Sequence, residues 1–228
     1  MDKIKGTFGR RVGKKKDNVS PAVIRRLPRY HRFLGELLKQ DKLRISSSEL
    51  SCLMGVTASQ IRQDLNCFGE FGQQGYGYNI RYLHKKIGEL LGVNREYNAV
   101  ILGAGNLGKA LISSHMFERR GVNRLAMFDI NPEIIGKTVA GIPVYSMDDL
   151  PRFCAEHQVD IGVLTTPKDA AVAVAKTLAE LGVPGIWNFS SNELSLEGTG
   201  TIVENVHMGD SLMLLTYRLK AEKDEADK

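Results

Sequence analysis

Cysteine is scarce in this chain. The three present, Cys52, Cys67 and Cys154, are too widely spaced for a disulfide frame or a zinc site and read as reduced thiols. A thiol switch at Cys67 is the alternative to a small packed side chain there. Long apolar runs are also missing. None approaches the length that spans a bilayer, and the start lacks the apolar core of a secretion signal. The expected location is the cytoplasm, with neither membrane nor metal among the partners. What is present is 43% apolar residues over 228 positions, enough for one large or two ordinary cores.

Charge is divided unevenly. Residues 1–85 hold 17 Lys/Arg against 7 Asp/Glu, whereas the remainder holds 14 against 19. A basic front on a mildly acidic body points to a polyanionic partner for the front. Residues 1–18, with Arg10, Arg11, Lys14, Lys15 and Lys16 among glycines, read as a disordered basic arm able to touch phosphates. Ser20-Pro21 starts a helix whose apolar face runs through Ile24 and Leu27, is expected to break or kink at Pro28, and resumes at Tyr30, Phe33, Leu34, Leu37 and Leu38. Ile45 reads as a short strand or turn, and residues 47–54 as a second helix. Gly55-Val56-Thr57 is a turn, and Ala58 to Phe68 a third helix capped by Thr57.

Helix, short glycine turn, helix is the arrangement that lays its second helix in a major groove. Ile61, Leu65 and Phe68 share one face of that helix, leaving Ser59, Gln60, Arg62 and Gln63 to point outward, as side chains suited to base edges or, more plainly, as a solvated face. Residues 69–78 alternate aromatics with glycines and read as a hairpin, a wing whose Gln73, Gln74 and Tyr76 reach the DNA backbone or minor groove. Arg29, Ser47 and Thr57 complete the expected contact set with Arg10 and Arg11. Ile80, Leu83, Ile87, Leu90 and Leu91 outline a further helix ending at Gly92, near the expected domain boundary.

The second part centres on Gly103-Ala104-Gly105-Asn106-Leu107-Gly108, between the apolar run 99–102 and an amphipathic run from Lys109 to Phe117. Gly103 suits a sharp turn off a strand, Gly105 close approach of a pyrophosphate, and Gly108 tight packing of helix on sheet. Leu125 to Phe128 reads as the next strand, ending on Asp129 at the spacing of a ribose-binding carboxylate, with Ile130 beside it. Such a carboxylate repels a 2'-phosphate, which favours NAD(H) over NADP(H).

Strands at 98–102, 124–129, 142–145, 161–165 and 185–188 alternate with helices at 105–118, 147–157 and 169–181, predicting a mostly parallel sheet. Thr165, Thr166, Pro167, Asn188 and Phe189 then fall at strand ends that line the nicotinamide half. A strand-like stretch at 201–204 precedes a helix from Gly209 to Leu219 whose leucine stripe has no obvious cover in its own chain and suits a second subunit. Residues 221–228 form a charged tail.

Several motifs together resemble the Rex family of bacterial redox-sensing transcriptional repressors. They are residues 24–30, Gln60-Ile61-Arg62-Gln63-Asp64-Leu65, the wing from Phe71-Gly72 to Gly77-Tyr78, Gly103 to Gly108, Ile186-Trp187-Asn188-Phe189 and Val203-Glu204-Asn205-Val206, and the likeness covers Val19 to Leu219. It implies an α/β chain: a winged helix-turn-helix domain at 19–92, a Rossmann-like NAD(H) domain at 93–205, and a dimerisation helix at 206–220 swapped between subunits. It also implies a homodimer that holds operator DNA of fermentative and respiratory genes when NAD+ prevails and leaves when NADH binds. By motif, Arg62 and its neighbours resemble the DNA readers, Gly103, Gly105 and Gly108 the pyrophosphate loop, and Asp129 the adenosine-ribose ligand. His207, Met208 and Ser114 stand where the family has aspartate, often an aromatic residue, and tyrosine, and Ser190-Ser191 where proline is common. These departures bear on how strongly NADH is preferred.

Two other classes remain. An NAD-dependent oxidoreductase needs a positioned acid or base and a substrate pocket. Of His31, His84, His115, His157 and His207, only His207 is placed to approach a nicotinamide, and no separate catalytic domain remains. A nucleotide-binding dimer without DNA activity, in the manner of CoA-binding Rossmann domains, leaves the basic front unexplained.

Overall fold

The computed structural model describes residues 19–67, 72–73 and 77–226, which divide into two units between Val93 and Asn94. In the first, the Ser20 hydroxyl accepts from the Val23 amide and opens α1 (Pro21–Lys39), which buries Val23, Leu27, Tyr30, Leu34 and Leu37 along one stripe. The helix runs on through Pro28, so of the break or kink expected there the break does not occur. Pro28 and Ile24 both lie on the exposed face, where water can take the carbonyl that the missing N–H leaves without its helical donor.

After β1 (Arg44–Ile45), Ser46 and Glu49 form a reciprocal capping box on α2 (Ser47–Met54). Gly55 ends α2 in the left-handed conformation, and Thr57 caps α3 (Ala58–Asn66). Phe68 lies outside the described residues. β2 (Gly72–Gln73) and β3 (Gly77–Asn79) form an antiparallel hairpin, and β1 joins the other edge of β3 to give a three-stranded sheet in the order β1-β3-β2. With α4 (Ile80–Leu91) over the core of Leu27, Tyr30, Ile61 and Leu83, this is a winged helix-turn-helix. The arm and the wing tip, with Arg10, Arg11, Gln74 and Tyr76, lie outside the described residues.

The second unit runs β4 (Tyr97–Leu102), α5 (Asn106–Ile112), β5 (Val122–Asp129), β6 (Thr138–Val139), β7 (Ile142–Ser146), α6 (Leu150–Glu156), β8 (Ile161–Leu164), α7 (Lys168–Glu180), β9 (Gly185–Asn188), β10 (Ile202–Asn205) and α8 (Met208–Ala226). The sheet order is β10-β9-β8-β4-β5-β7-β6, parallel except for β6. β4 alternates its side chains between two cores, Val100 and Leu102 toward Leu164, Ala171 and Leu178, Ala99 and Ile101 toward Ile112 and Phe117. The chain leaves β4 toward β5 and later returns to its other side as β8, so the order reverses between β4 and β8 and opens a crevice at their carboxyl ends.

α5 stops at Ile112 rather than Phe117 or Glu118. The Ser113 hydroxyl turns back to the Lys109 carbonyl, Ser114 accepts from the Met116 amide, and the Arg124 guanidinium takes the Ile112 carbonyl. These side-chain bonds replace the next turn of helix. α8, in contrast, continues through the expected charged tail to Ala226 and is exposed throughout residues 208–225. Its 19 residues span about 28 Å, with Leu212 at 61% and Leu215 at 52% exposure.

Candidate nucleotide site and DNA-binding surface

At the carboxyl ends of β4, β5 and β8 lies a cavity of about 530 Å3, within the range of small-molecule sites. Gly103, Gly105, Asp129, Ile130, Thr165, Thr166 and Pro167 line it together with the apolar Phe128, Met147, Ala170 and Val174. Two glycines are dictated by the protein itself. Gly103 has φ +101 and a Cβ there would lie 3.0 Å from the Thr165 backbone, while a Cβ on Gly108 would lie 2.0 Å from the Gly103 carbonyl oxygen. Gly105 is different, since nothing stands within 4 Å of a Cβ placed there. The space over Gly105 belongs to the cavity.

Asp129 closes one side. Its carboxylate accepts from the Ala104 amide at 2.6 Å and the Asn131 amide at 2.8 Å, which ties the end of β5 to the glycine loop. Two such bonds leave lone pairs for a pair of sugar hydroxyls. Neither α5, with Gly105 at its N-cap, nor α7, with Pro167, has a side-chain cap, although both caps line the cavity. Two helix starts with uncapped amides and positive dipole ends suit an anion between them. An apolar slot, a carboxylate and an anion cradle in a row can hold a base, a ribose and a phosphate.

Other expected residues support this cavity rather than line it. Ala104 supplies the amide to Asp129, Gly108 packs on Gly103, and Asn106 and Leu107 open α5. Asn188 is fully buried and turned inward. It donates to the Asn192 carbonyl and the Asn205 side chain and accepts from the Ser190 amide and hydroxyl, while Phe189 stacks edge-on to Trp187. The pair Asn188 and Asn205, joining the ends of β9 and β10, escaped the sequence reading because its members lie 17 residues apart. His207, just before α8, meets Glu193 at 2.6 Å, and Ser114 holds the turn after α5.

On the first unit, Ser59, Arg62 and Gln63 of α3 are exposed, and Arg62 donates to the Ser47 hydroxyl at 3.1 Å. Thr57 spends its hydroxyl on the Gln60 amide. Arg29 is exposed over the Phe33 ring. Gln60 corrects the expectation: it is half-buried and donates to Asp64 at 2.8 Å instead of pointing outward. Asp64 is the residue that the sequence reading passed over. Fully buried, it takes two bonds of 2.7 Å from the Arg26 guanidinium and one of 2.9 Å from the Tyr30 hydroxyl, which fastens α3 to α1. An acidic residue on the core side of a helix was the available signal. Among the described residues no cluster of His, Cys, Asp and Glu could hold a metal ion, and no helix is long and apolar enough to cross a membrane.

Residues 18–66 match the family described as a putative DNA-binding protein N-terminus, and residues 94–192 match the CoA binding domain. The chain is 52% identical over 202 residues to the redox-sensing transcriptional repressor Rex of Clostridium botulinum, covering 89% of this chain and 96% of that one. It belongs to the Rex family. A second Rex, from Thermoanaerobacter pseudethanolicus, is 51% identical over 209 residues, 92% of this chain and 93% of that protein. Two crystal structures of RSP, a Rex-family repressor, superpose well. RSP with NAD+ and operator DNA gives a TM-score of 0.83 at 50% identity over 92% of this chain and 96% of RSP, and RSP with NADH gives 0.84 at 47% over 92% and 98%.

Proposed function

We propose that this Rex-family chain is a cytoplasmic, redox-sensing repressor that binds operator DNA as a homodimer and leaves it when NADH replaces NAD+. The observation that carries the reading is the joining, in one chain, of a winged helix-turn-helix with an exposed Arg62 and a Rossmann sheet with a nucleotide-sized cavity beside Asp129. The domains are taken as 19–92 for DNA and 93–205 for the dinucleotide, with the helix from residue 206 for the second subunit. A 19-residue helix with its leucines exposed is marginal alone, and a second copy of the chain covers it. In a dimer two α3 helices enter successive major grooves at one spacing only. If NADH favours a pairing that NAD+ does not, operator affinity falls by the ratio of the two preferences. The dinucleotide is read and not consumed. His31 and His84 stack on one another in the first unit, His115 and His207 pair with Glu118 and Glu193, and His157 stacks on Phe153, so each histidine is engaged outside the cavity lining.

Arg62→Ala tests the DNA half. On a duplex selected from random sequence by the unaltered protein with NAD+, the variant is expected to lose about 1–3 kcal/mol of affinity and to discriminate less at one base position. NADH affinity should stay unchanged. Fluorescence anisotropy over a salt series reads both the loss and the slope of affinity with salt. Equal binding by variant and parent would remove Arg62 from the base readers, and a flat salt dependence in the parent would favour the dimer that does not act on DNA.

A further inference from the structure

Two threonines stand side by side at the end of β8 with different fates. Thr165 donates its hydroxyl to the Leu102 and Gly103 carbonyls at 3.0 and 2.7 Å and so braces the glycine turn. Thr166 also lines the cavity, yet its hydroxyl oxygen is buried and, among the described residues, is the buried side-chain polar atom with no hydrogen-bond partner. A buried hydroxyl left unpaired is costly, and valine would fill the same shape without that cost. The cavity, rather than the protein, is what this hydroxyl can serve.

We propose that Thr166 donates a hydrogen bond to an oxygen of the distal half of the bound dinucleotide, the second phosphate or the second ribose, and thereby sets part of the affinity of the site. The proposal rests on the nucleotide reading given above. Its geometry follows from the strand order. β5, which ends on Asp129, and β8, which leads to Thr166, flank β4 on opposite sides. A nucleotide with its adenosine ribose at Asp129 and a phosphate over Gly105 carries its remaining half across β4 toward Thr166.

The test is calorimetric titration of NADH, ADP-ribose and AMP into the full-length protein and its Thr166→Val and Thr166→Ser variants, with melting curves of the ligand-free proteins. Thr166→Val is expected to weaken NADH and ADP-ribose about five- to tenfold, to leave AMP unchanged, and to melt no lower than the parent. Thr166→Ser, which keeps the hydroxyl, should bind NADH like the parent. The proposal is overturned if Thr166→Val binds NADH as tightly as the parent, if AMP is weakened as much as NADH, or if the serine variant is as weak as the valine one. Failure of the parent itself to bind any of the three overturns the nucleotide reading, a different result from a valine variant that matches an NADH-binding parent.

Discussion

Gly108→Ala is expected to destabilise the second unit by about 3 kcal/mol or more and to remove NADH binding with it, because even one added carbon overlaps backbone. The new Cβ would sit 2.0 Å from the Gly103 carbonyl oxygen and 2.9 Å from Thr165 Oγ1. No side chain can swing aside to relieve the first contact, so α5 must lift away from the turn that follows β4. Gly105→Ala provides the contrast. Its Cβ meets nothing within 4 Å, so the ligand-free protein should melt within about 1 kcal/mol of the parent, the difference that alanine makes at a helix N-cap. If a phosphate rests on that backbone, NADH affinity nevertheless falls steeply. Thermal melts and NADH titration of the two variants separate the glycine that the fold requires from the glycine that the ligand requires. A Gly105→Ala protein with unaltered affinity would mean that the phosphates lie elsewhere.

Asp64→Asn should be the most damaging conservative change in the first unit. Four donors converge on this one fully buried carboxylate, from Arg26 Nε and Nη2, Tyr30 Oη and Gln60 Nε2. An amide offers one acceptor oxygen and turns its own donors on the rest. Removing one partner of a buried pair costs about 3–5 kcal/mol, and because Arg26 keeps 31% exposure and can rehydrate, about 2–4 kcal/mol is expected here. Since those bonds hold α3 against α1, operator affinity should fall at least tenfold while NADH affinity is retained.

Acid gives an independent check. Burial pushes the Asp64 carboxyl up, but the bonds from Arg26, Gln60 and Tyr30 outweigh it and hold the group below the ordinary carboxylate range. The folded value lies below the unfolded value of about 3.9, so the stabilisation is complete above that pH and is lost as pH falls through the folded value. The parent should therefore lose stability in acid that the asparagine variant has already lost. Coincident acid limbs, or a variant that melts with the parent, would contradict this role for Asp64.

Much of this architecture is legible in the sequence because the features concerned are local. Ser20-Pro21 and Thr57 announce helix starts within four residues, and Gly103 to Gly108 with Asp129 carries the crevice chemistry in one strand-turn-helix-strand passage. What escaped depends on pairings that no window contains. Helical spacing puts Gln60 on the outer face, yet it turns toward Asp64, whose other partners sit 34 and 38 residues earlier on α1. β6 is only two residues long, and its turn through Ala140 and Gly141, with φ of 51° and 80°, uses an alanine where asparagine or aspartate would have signalled a hairpin. The early stop of α5 is set by Arg124, twelve residues beyond the carbonyl it takes. Asn188 read as a cavity residue from its place at a strand end, whereas its amide is consumed by the turn that follows and by Asn205.

The coupling between the two units is tested most directly by one titration. Binding of the dimer to its selected duplex is followed by fluorescence anisotropy while NADH or NAD+ is added at matched concentrations. NADH is expected to weaken the complex at least tenfold more than NAD+, which requires a difference of about 1.4 kcal/mol between their preferences for the two pairings. Equal effects of the two nucleotides would leave a DNA-binding protein that holds a dinucleotide without reading its redox state.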